Sequence, residues 1–267
     1  MKVAGNRSSI WNIGRVLIVI ALLSALGSPS SAQAGDLTIA AASSLNFAFK
    51  ELVGEYEKKT GERVKLTLGS SGNFYSQIQN GAPFDVFFSA DMAYPKKLED
   101  AELTVPGSLS KYAVGRLVLW TLAKSPLPVE ERGMDVLLDP LVKKVAIANP
   151  KHAPYGRAAV AAMEHFKVHD RVKGKLVFGE NISQAGQFIE SGASDIGLIA
   201  LSLAMTPTMK RIGKYWEIPA DAHPALEHGV VILKNSSNQD RAKSFLAFLQ
   251  TEEGRAIMTR YGFVLPS

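Results

Sequence analysis

The chain has 267 residues, of which 46% are hydrophobic and 21% charged; it has no cysteine and a formal net charge of +5. This composition is ordinary for a folded protein with a substantial core, and it excludes a disordered or collagen-like chain. The lack of cysteine excludes disulfide bonds, zinc ribbons, iron–sulfur clusters and thiol catalysis.

Residues 1–34 have the pattern of a secretory signal peptide. Three basic residues precede an apolar run at residues 16–26, and a small-residue segment ends in the A-x-A sequence of residues 32–34. The run is shorter than the ~20 residues that a membrane anchor needs, so we predict cleavage after Ala34. Removing three of the 30 basic residues and none of the 25 acidic ones leaves a net charge of +2. No basic stripe with interleaved aromatic residues remains to predict nucleic-acid binding, and an exported chain without thiols fits the bacterial periplasm.

From Asp36 onward, short apolar runs alternate with amphipathic stretches, which predicts strands alternating with helices. The predicted strands are residues 37–40, 64–68, 86–88, 116–122, 145–148, 176–178, 196–200 and 229–233. The predicted helices are residues 45–60, 73–80, 184–191, 239–249 and 252–261. Repeated strand–helix units predict the α/β class, with parallel sheets covered by helices. No flexible linker is present, so a split into two domains must pass through continuous strands, with residues 118–121 and 229–233 as the candidates.

Four loops at which a predicted strand leads into a helix carry the most informative residues. They are Ala41–Ser44, Gly69–Gly72, Asn149–Gly156 and Glu180–Ser183. Ligands of open α/β sheets bind at the carboxyl ends of the strands, and helix N-termini attract anions. These loops offer hydroxyl groups, small residues and backbone amides, and only Lys151, His152 and Glu180 could carry charge. The pattern therefore favours a site for an anion that is held without a formal countercharge.

Each of these features also has a purely structural interpretation. Ser44, Ser71 and Ser183 could cap the helices that follow them, and Tyr155 could pack on the core instead of pointing its hydroxyl into a cleft. The spacing of His165 and His169 is compatible with a metal, but the absence of a third ligand favours a solvated helix face. No G-x-S-x-G, G-x-G-x-x-G or P-loop motif occurs, so enzymatic activity has little support.

At these loops the sequence resembles the periplasmic molybdate-binding proteins of ABC uptake systems. The resemblance covers essentially the whole mature chain in order, and its G-A-P-x-D-V-F-x-S-A-D and N-P-x-x-A-P-Y-G segments are specific to that family. The matching segments are residues 40–45, Ser70-Ser71 with Gln77-Ile78, residues 81–91, residues 148–156, Glu180-Asn181-Ile182 and Arg260-Tyr261-Gly262-Phe263.

The resemblance implies a type II, two-lobed α/β fold with two strand crossings that act as hinges and a ligand in the cleft between the lobes. It implies one lobe from residues 36–117 plus 230–267 and the other from residues 118–229. Carried over position by position, the ligand contacts fall on Ser43, Ser71, Tyr155 and Ile182, with Ser44 as a further candidate. Ile182 would act through its backbone amide. Some members have a tyrosine where this chain has Ala200, and Tyr155 is interpreted as its substitute.

The function that the resemblance implies is high-affinity binding of molybdate or tungstate by a periplasmic monomer, which delivers the ion to a membrane-embedded ABC permease. The oxyanion is then the ligand, and neither a cofactor, a direct metal ligand nor an enzymatic activity is expected. Two alternatives remain open: binding of another anion, such as sulfate, thiosulfate or a carboxylate, and a hydrolase with Ser71 or Ser43 as nucleophile. Protonated phosphate would need an acceptor, for which Glu180 is the only nearby candidate.

Overall fold

The computed structural model describes residues 1–2 and 35–266. The predicted signal peptide thus lies almost entirely outside the described residues. Within the described ranges, no helix is long and apolar enough to cross a membrane. Each strand and helix predicted from Asp36 onward is present, and its ends lie within about three residues of the predicted ones.

Ten strands form two five-stranded sheets in the described part of the chain. The strands are β1 (Leu37–Ala42), β2 (Val64–Gly69), β3 (Val86–Phe88), β4 (Ser110–Gly115), β5 (Leu117–Leu122), β6 (Val145–Ala148), β7 (Leu176–Gly179), β8 (Ile196–Ala200), β9 (Gly213–Glu217) and β10 (Leu226–Ile232). The first sheet has the order β2-β1-β3-β10-β4, and the second has the order β7-β6-β8-β5-β9. We call each sheet with its helices a lobe.

The α-helices described in residues 35–266 are α1 (Asn46–Thr60), α2 (Ser71–Gln79), α3 (Ala93–Asp100), α4 (Val129–Arg132), α5 (Pro154–His165), α6 (His169–Val172), α7 (Ile182–Glu190), α8 (Leu201–Ala204), α9 (Pro207–Ile212), α10 (Gln239–Gln250) and α11 (Glu252–Arg260). Short 3₁₀ turns cover Ser43–Leu45, Gly133–Leu138, Lys173–Lys175 and Ala220–Ala222. Helix α1 ends at Gly61, whose φ of 72° suits a residue without a side chain.

The prediction of parallel sheets is only partly correct. β1 is parallel to β2 and β3, and β6 is parallel to β7 and β8. However, β10 is antiparallel to β3 and β4, and β5 is antiparallel to β8 and β9. β5 and β10 are the first strands after the chain crosses from one lobe to the other. Neither follows a helix from a preceding strand of its own sheet, so neither has the crossover connection that makes strands parallel.

The chain passes between the sheets twice, and neither crossing lies within the candidate residues 118–121 and 229–233. The first crossing is at Arg116, between the last residue of β4 and the first of β5, and the second is in residues 218–225. β5 lies wholly in the second sheet and β10 wholly in the first. Leu117 thus belongs to the second sheet and residues 226–229 to the first, and we propose lobe boundaries at Arg116 and within residues 218–225.

The first sheet is covered on both faces, as the alternation of side chains along a strand requires. Phe88 packs with Phe49 and Phe245 on one face, while Phe87 packs with Phe74 on the other. The second lobe has its own core, in which Trp120 is fully buried. Sequence patterning missed β4 and β9, since both are edge strands that carry polar residues on an exposed face.

Candidate anion-binding site

The two lobes enclose a small cavity into which the predicted site residues converge. Its volume of about 10 Å³ has room for roughly one water-sized sphere. Eleven uncharged residues line it: Ala42, Ser43, Ser44, Gly69, Ser70, Ser71, Ala90, Ala153, Pro154, Tyr155 and Ile182. All five residues named from the resemblance are among them, and each is at most 4% exposed. A ligand bound among these residues would be dehydrated and surrounded by neutral groups.

Three helices and one turn begin at this cavity. α2 starts at Ser71, α5 at Pro154 and α7 at Ile182, while the Ser43–Leu45 turn follows β1 directly. The first amides of a helix have no acceptor within the helix, and the positive end of the helix dipole favours an anion. Because α7 begins at Ile182, the backbone amide of this apolar residue is one of these first amides.

The alternative that Ser44, Ser71 and Ser183 are helix caps is wrong. The caps of α2 and α7 are Ser70 and Asn181, whose side chains accept hydrogen bonds from Asn73 N and Gln184 N. No side-chain cap bond occurs at the Ser43–Leu45 turn. The hydroxyl of Ser71 is therefore not used to begin its own helix.

Ser71 keeps its hydroxyl proton available. Its side chain is fully buried, and its Oγ accepts a hydrogen bond from Ala90 N at 2.9 Å. This bond uses a lone pair and fixes the position of the oxygen. Among the described residues no acceptor receives the proton of this hydroxyl, so it can be donated to a ligand.

Tyr155 is buried with an unpartnered hydroxyl. The residue is 2% exposed, and its Oη has no hydrogen-bond partner among the described residues. Burial raises the pKa of Tyr155 well above its ordinary value, although the nearby Ser44 hydroxyl, outside hydrogen-bond geometry, opposes this slightly. The ring is therefore a neutral donor. A buried donor without a partner is costly, and this one lies at the cavity, where its proton is available to a ligand.

Gly115, which sequence analysis missed, makes room for the Tyr155 hydroxyl. A Cβ atom at this position would lie 2.1 Å from Tyr155 Oη and 2.6 Å from His228 Cε1. Any side chain would displace the tyrosine from the crossing between the lobes. The only sequence signal was a glycine beside an apolar strand, which does not reveal which residue approaches it.

The hydroxyl protons of Ser43 and Ser44 are already committed to protein acceptors. Ser43 Oγ donates to Asn181 Oδ1 at 3.0 Å and accepts from Ser183 N at 3.2 Å. Ser44 Oγ lies 3.3 Å from Nε2 of the buried His228. Both serines line the cavity, but their side chains are used to hold neighbouring parts of the protein.

Several contacts join the lobes around the cavity. Gly72 N donates to His152 O at 2.8 Å, and Ser70 Oγ lies 2.9 Å from His152 Nδ1. Arg157 Nη2 donates to Asp91 Oδ2 at 2.6 Å. A Cβ atom at Gly72 would lie 2.6 Å from His152 O, so the close approach of the lobes needs glycine there. The cleft is closed in this structure.

Ser70, His152 and Glu180 superficially resemble a hydrolase triad. However, Ser70 caps α2, and the Glu180 carboxylate is 69% exposed and 3.7 Å from His152 Nε2. Neither Ser43 nor Ser71, the predicted alternative nucleophiles, contacts a histidine ring among the described residues. The arrangement joins the two lobes, and its serine already caps a helix.

Two further features lie outside the site. A larger groove of about 310 Å³ is lined in part by Asp85, whose carboxylate accepts hydrogen bonds from Thr38, Ser236 and Asn238. The aspartate of the G-A-P-x-D motif thus ties β1 to the segment after β10. No group of three or more His, Cys, Asp or Glu side chains in the described ranges could hold a metal ion, and this includes His165 and His169.

Comparison with known proteins identifies the family. Residues 37–264 match the bacterial extracellular solute-binding proteins. The molybdate-binding protein ModA of Rhodobacter capsulatus is 39% identical over 244 residues, which cover 91% of this chain and 94% of that protein. The chain belongs to the bacterial extracellular solute-binding protein family. Within this family, the ModA protein of Azotobacter vinelandii is 38% identical over 88% of this chain and 92% of its own length. The resemblance to molybdate-binding proteins found in the sequence is confirmed.

Solved structures of the family share the fold. The periplasmic molybdate-binding protein of Azotobacter vinelandii superposes with a TM-score of 0.82 at 34% identity, covering 87% of this chain and all of that one. This confirms the two-lobed α/β fold. The sulfate-binding protein SubI of Mycobacterium tuberculosis has a TM-score of 0.69 at 16% identity, covering 86% of each chain. At this identity the likeness shows a shared fold.

Proposed function

We propose that this protein binds molybdate, and also tungstate, in the cavity between its lobes and delivers the ion to an ABC permease. The observation that carries the proposal is a closed, uncharged cavity at which three helix N-termini meet two buried hydroxyls with available protons. These hydroxyls, of Ser71 and Tyr155, supply directed donors. The relatives named for molybdate binding support the choice of ion.

In this site Ser71 and Tyr155 donate through their hydroxyls, and the amides at Ser43, Ser44, Ser71 and Ile182 complete the ring of donors. Tyr155 takes the role that a tyrosine at the Ala200 position has in other members. A fully deprotonated tetrahedral dianion accepts hydrogen bonds at every oxygen, so a ring of donors suits it. Protonated phosphate would need an acceptor, and the Glu180 carboxylate is exposed and does not line the cavity.

The size of the ring of donors selects among dianions. Molybdate and tungstate have longer bonds to oxygen than sulfate, and helix N-termini that are fixed by packing cannot contract around a smaller ion. Neutral dipoles also hold the ion without a cation that would oppose its release. Opening at the two crossings would then free the ion for transport.

The remaining parts of the proposal concern the setting of the protein. Export through residues 1–34 with cleavage after Ala34 would place it in the periplasm as a monomer that is not an enzyme and needs no cofactor. Its partner is a membrane-embedded permease of the molybdate uptake system. The periplasmic relative of known structure supports this setting.

A thermal-shift screen of the mature chain with oxyanions tests the proposal. A ligand at about 100 times its dissociation constant adds about 2.7 kcal/mol of stability, so molybdate and tungstate should raise the melting temperature clearly. Sulfate, thiosulfate and phosphate at equal concentration should raise it little. An equal shift with sulfate would overturn the assigned specificity, and turnover of acyl esters that Ser71→Ala abolishes would favour the hydrolase.

A further inference from the structure

His228 does not line the cavity, but it contacts Ser44, which does. It sits on β10 at a bulge beside the crossing between the lobes, and it is fully buried. Its ring packs edge-on against Tyr112, Tyr155 and Phe263, with ring centroids 5.8, 5.9 and 5.4 Å away. A polar ring surrounded by aromatic side chains needs partners for both nitrogen atoms.

The hydrogen-bond partners of His228 fix the position of its proton. Nδ1 lies 2.9 Å from Leu226 O, and a carbonyl oxygen can only accept, so Nδ1 carries the hydrogen. No carboxylate is among the described contacts of the ring, and burial lowers the pKa of His228 to about 4, so the ring is neutral. Its Nε2 is therefore an acceptor, and the Ser44 hydroxyl at 3.3 Å donates to it.

Ser44 is consequently held from two directions. Its side chain is tied to β10 in the first lobe through His228, and its carbonyl oxygen accepts from Ser202 Oγ of the second lobe at 2.6 Å. Both bonds are buried. They fix the Ser43–Leu45 turn, whose first two residues line the cavity.

We propose that His228 is a positioning residue of the anion site. By accepting a hydrogen bond from the Ser44 hydroxyl, it fixes the Ser43–Leu45 turn. Ser44 then serves the anion through its backbone and not through its hydroxyl. The inference rests on the proposed function for the identity of the anion. The hydrogen-bond pattern behind it does not depend on which anion binds.

The tautomer of His228 is the first test. Long-range ¹H–¹⁵N correlation spectra of the ligand-free protein at pH 7, assigned by comparison with His228→Phe or, if that variant does not fold, His228→Gln, should show the proton on Nδ1. Ser44→Ala should shift the Nε2 resonance, because it removes the hydrogen bond to that nitrogen. A proton on Nε2, or an Nε2 resonance that Ser44→Ala does not shift, would overturn the proposal. This measurement needs no ligand, so its failure is distinct from a wild-type protein that fails to bind molybdate.

Calorimetric titration with molybdate is the second test. Ser44→Ala and His228→Phe should each weaken binding about three- to tenfold, the size of one ordinary hydrogen bond. The double variant should bind molybdate no more weakly than the weaker-binding single variant, since both changes remove the hydrogen bond between Ser44 and His228. His228→Gln keeps an acceptor and should retain more affinity than His228→Phe. His223→Phe, at a partly exposed histidine bonded to Pro224 O, should bind as the wild type does.

Additive losses in the double variant would contradict the proposal, and so would unchanged affinity in either single variant. If His228→Phe does not fold, the cycle of Ser44→Ala and His228→Gln replaces it. Because the glutamine would affect binding only through its contact with Ser44, His228→Gln should cause no further loss of affinity in the Ser44→Ala background. A further loss there would mean that His228 acts by another route.

Discussion

The two sides of the cavity use the same chemical group in opposite ways. On one side, Ser43 and Ser44 direct their hydroxyl protons at Asn181 and His228, so these side chains serve the protein. On the other side, the oxygen of Ser71 is fixed by Ala90 N while its proton has no described acceptor, and the Tyr155 hydroxyl has no hydrogen-bond partner among the described residues.

This difference is the basis on which the proposed site would hold a dianion without charged residues. The hydroxyls of Ser43 and Ser44 hold the turn that follows β1, and in the proposed site its backbone amides are in place before the ligand arrives. The hydroxyls of Ser71 and Tyr155 supply further donors, whose hydrogen bonds a bound ligand would complete. Preorganised neutral dipoles avoid the cost of reorienting during binding, and each free hydroxyl leaves an unsatisfied group that only an acceptor can satisfy.

The largest effect on binding should come from removing the Tyr155 hydroxyl. Tyr155→Phe should weaken molybdate binding about ten- to a hundredfold, because a hydrogen bond to a charged group contributes roughly 1.5–3 kcal/mol. The ligand-free variant should be at least as stable as the wild type, since the lost oxygen had no partner. Tyr112→Phe is the matched control: its hydroxyl donates to Ser89 O, so it should lose stability and keep its affinity. Calorimetry and urea unfolding of both variants would show this crossed pattern, and equal effects would contradict it.

The adjacent residues Ser70 and Ser71 allow a hydroxyl that caps a helix to be compared with one whose proton has no described acceptor. Ser71→Ala should weaken molybdate binding by at least about tenfold, whereas Ser70→Ala removes the cap of α2 and should mainly cost about 0.5–2 kcal/mol of stability. Binding isotherms and melting curves of the two variants make the comparison. If Ser70→Ala lost more affinity than Ser71→Ala, the assignment of the free proton to Ser71 would be wrong.

Protonation of His228 should lower the stability of the folded protein at low pH. The pKa of His228 is about 4 in the folded protein and 6.5 ordinarily, so the unfolded chain binds more protons in between. The stability that the protein gains from keeping His228 neutral is complete above about pH 6.5 and is lost as the pH falls toward 4. It amounts to about 2 kcal/mol between pH 7 and pH 5. Urea unfolding of the wild type and His228→Phe should show a wild-type loss that is larger by this amount, and parallel losses would exclude His228 as the cause.

The smallest effect should come from the rim of the cleft. Arg157 and Asp91 form an ion pair between the lobes, with side chains 42% and 15% exposed. Because such partly exposed pairs contribute about 0.2–1 kcal/mol, Arg157→Gln should weaken molybdate binding about two- to fivefold by favouring the open form. Arg132→Gln breaks a similar pair with Asp139 inside the second lobe and should leave the affinity unchanged. A loss in both variants would indicate a general effect of charge.

Sequence patterning predicted most of the fold, because buried strands such as β3 and β8 are continuous apolar runs. It missed the edge strands β4 and β9, and it placed the crossings inside strands, since nothing in the apolar pattern tells which sheet a strand joins. The family resemblance brought together five residues that the structure places around one cavity. It could not assign hydroxyl protons, because the acceptors of Ser43 and Ser44 lie 138 and 184 positions away in the chain. His228, Ser202 and Gly115 were missed for the same reason: their roles exist only in the folded contacts.

The most direct test of the central claim is calorimetric titration of the mature wild-type chain with molybdate and with sulfate at low and high ionic strength. The account predicts one site per chain, much tighter binding of molybdate than of sulfate, and an affinity for molybdate that changes less than about threefold between about 0.05 and 0.5 M salt, since no charged side chain lines the cavity. Equal affinity for sulfate, or a steep loss of molybdate affinity with salt, would contradict it. The second result would show that a Lys or Arg side chain, and not a ring of neutral donors, holds the ion.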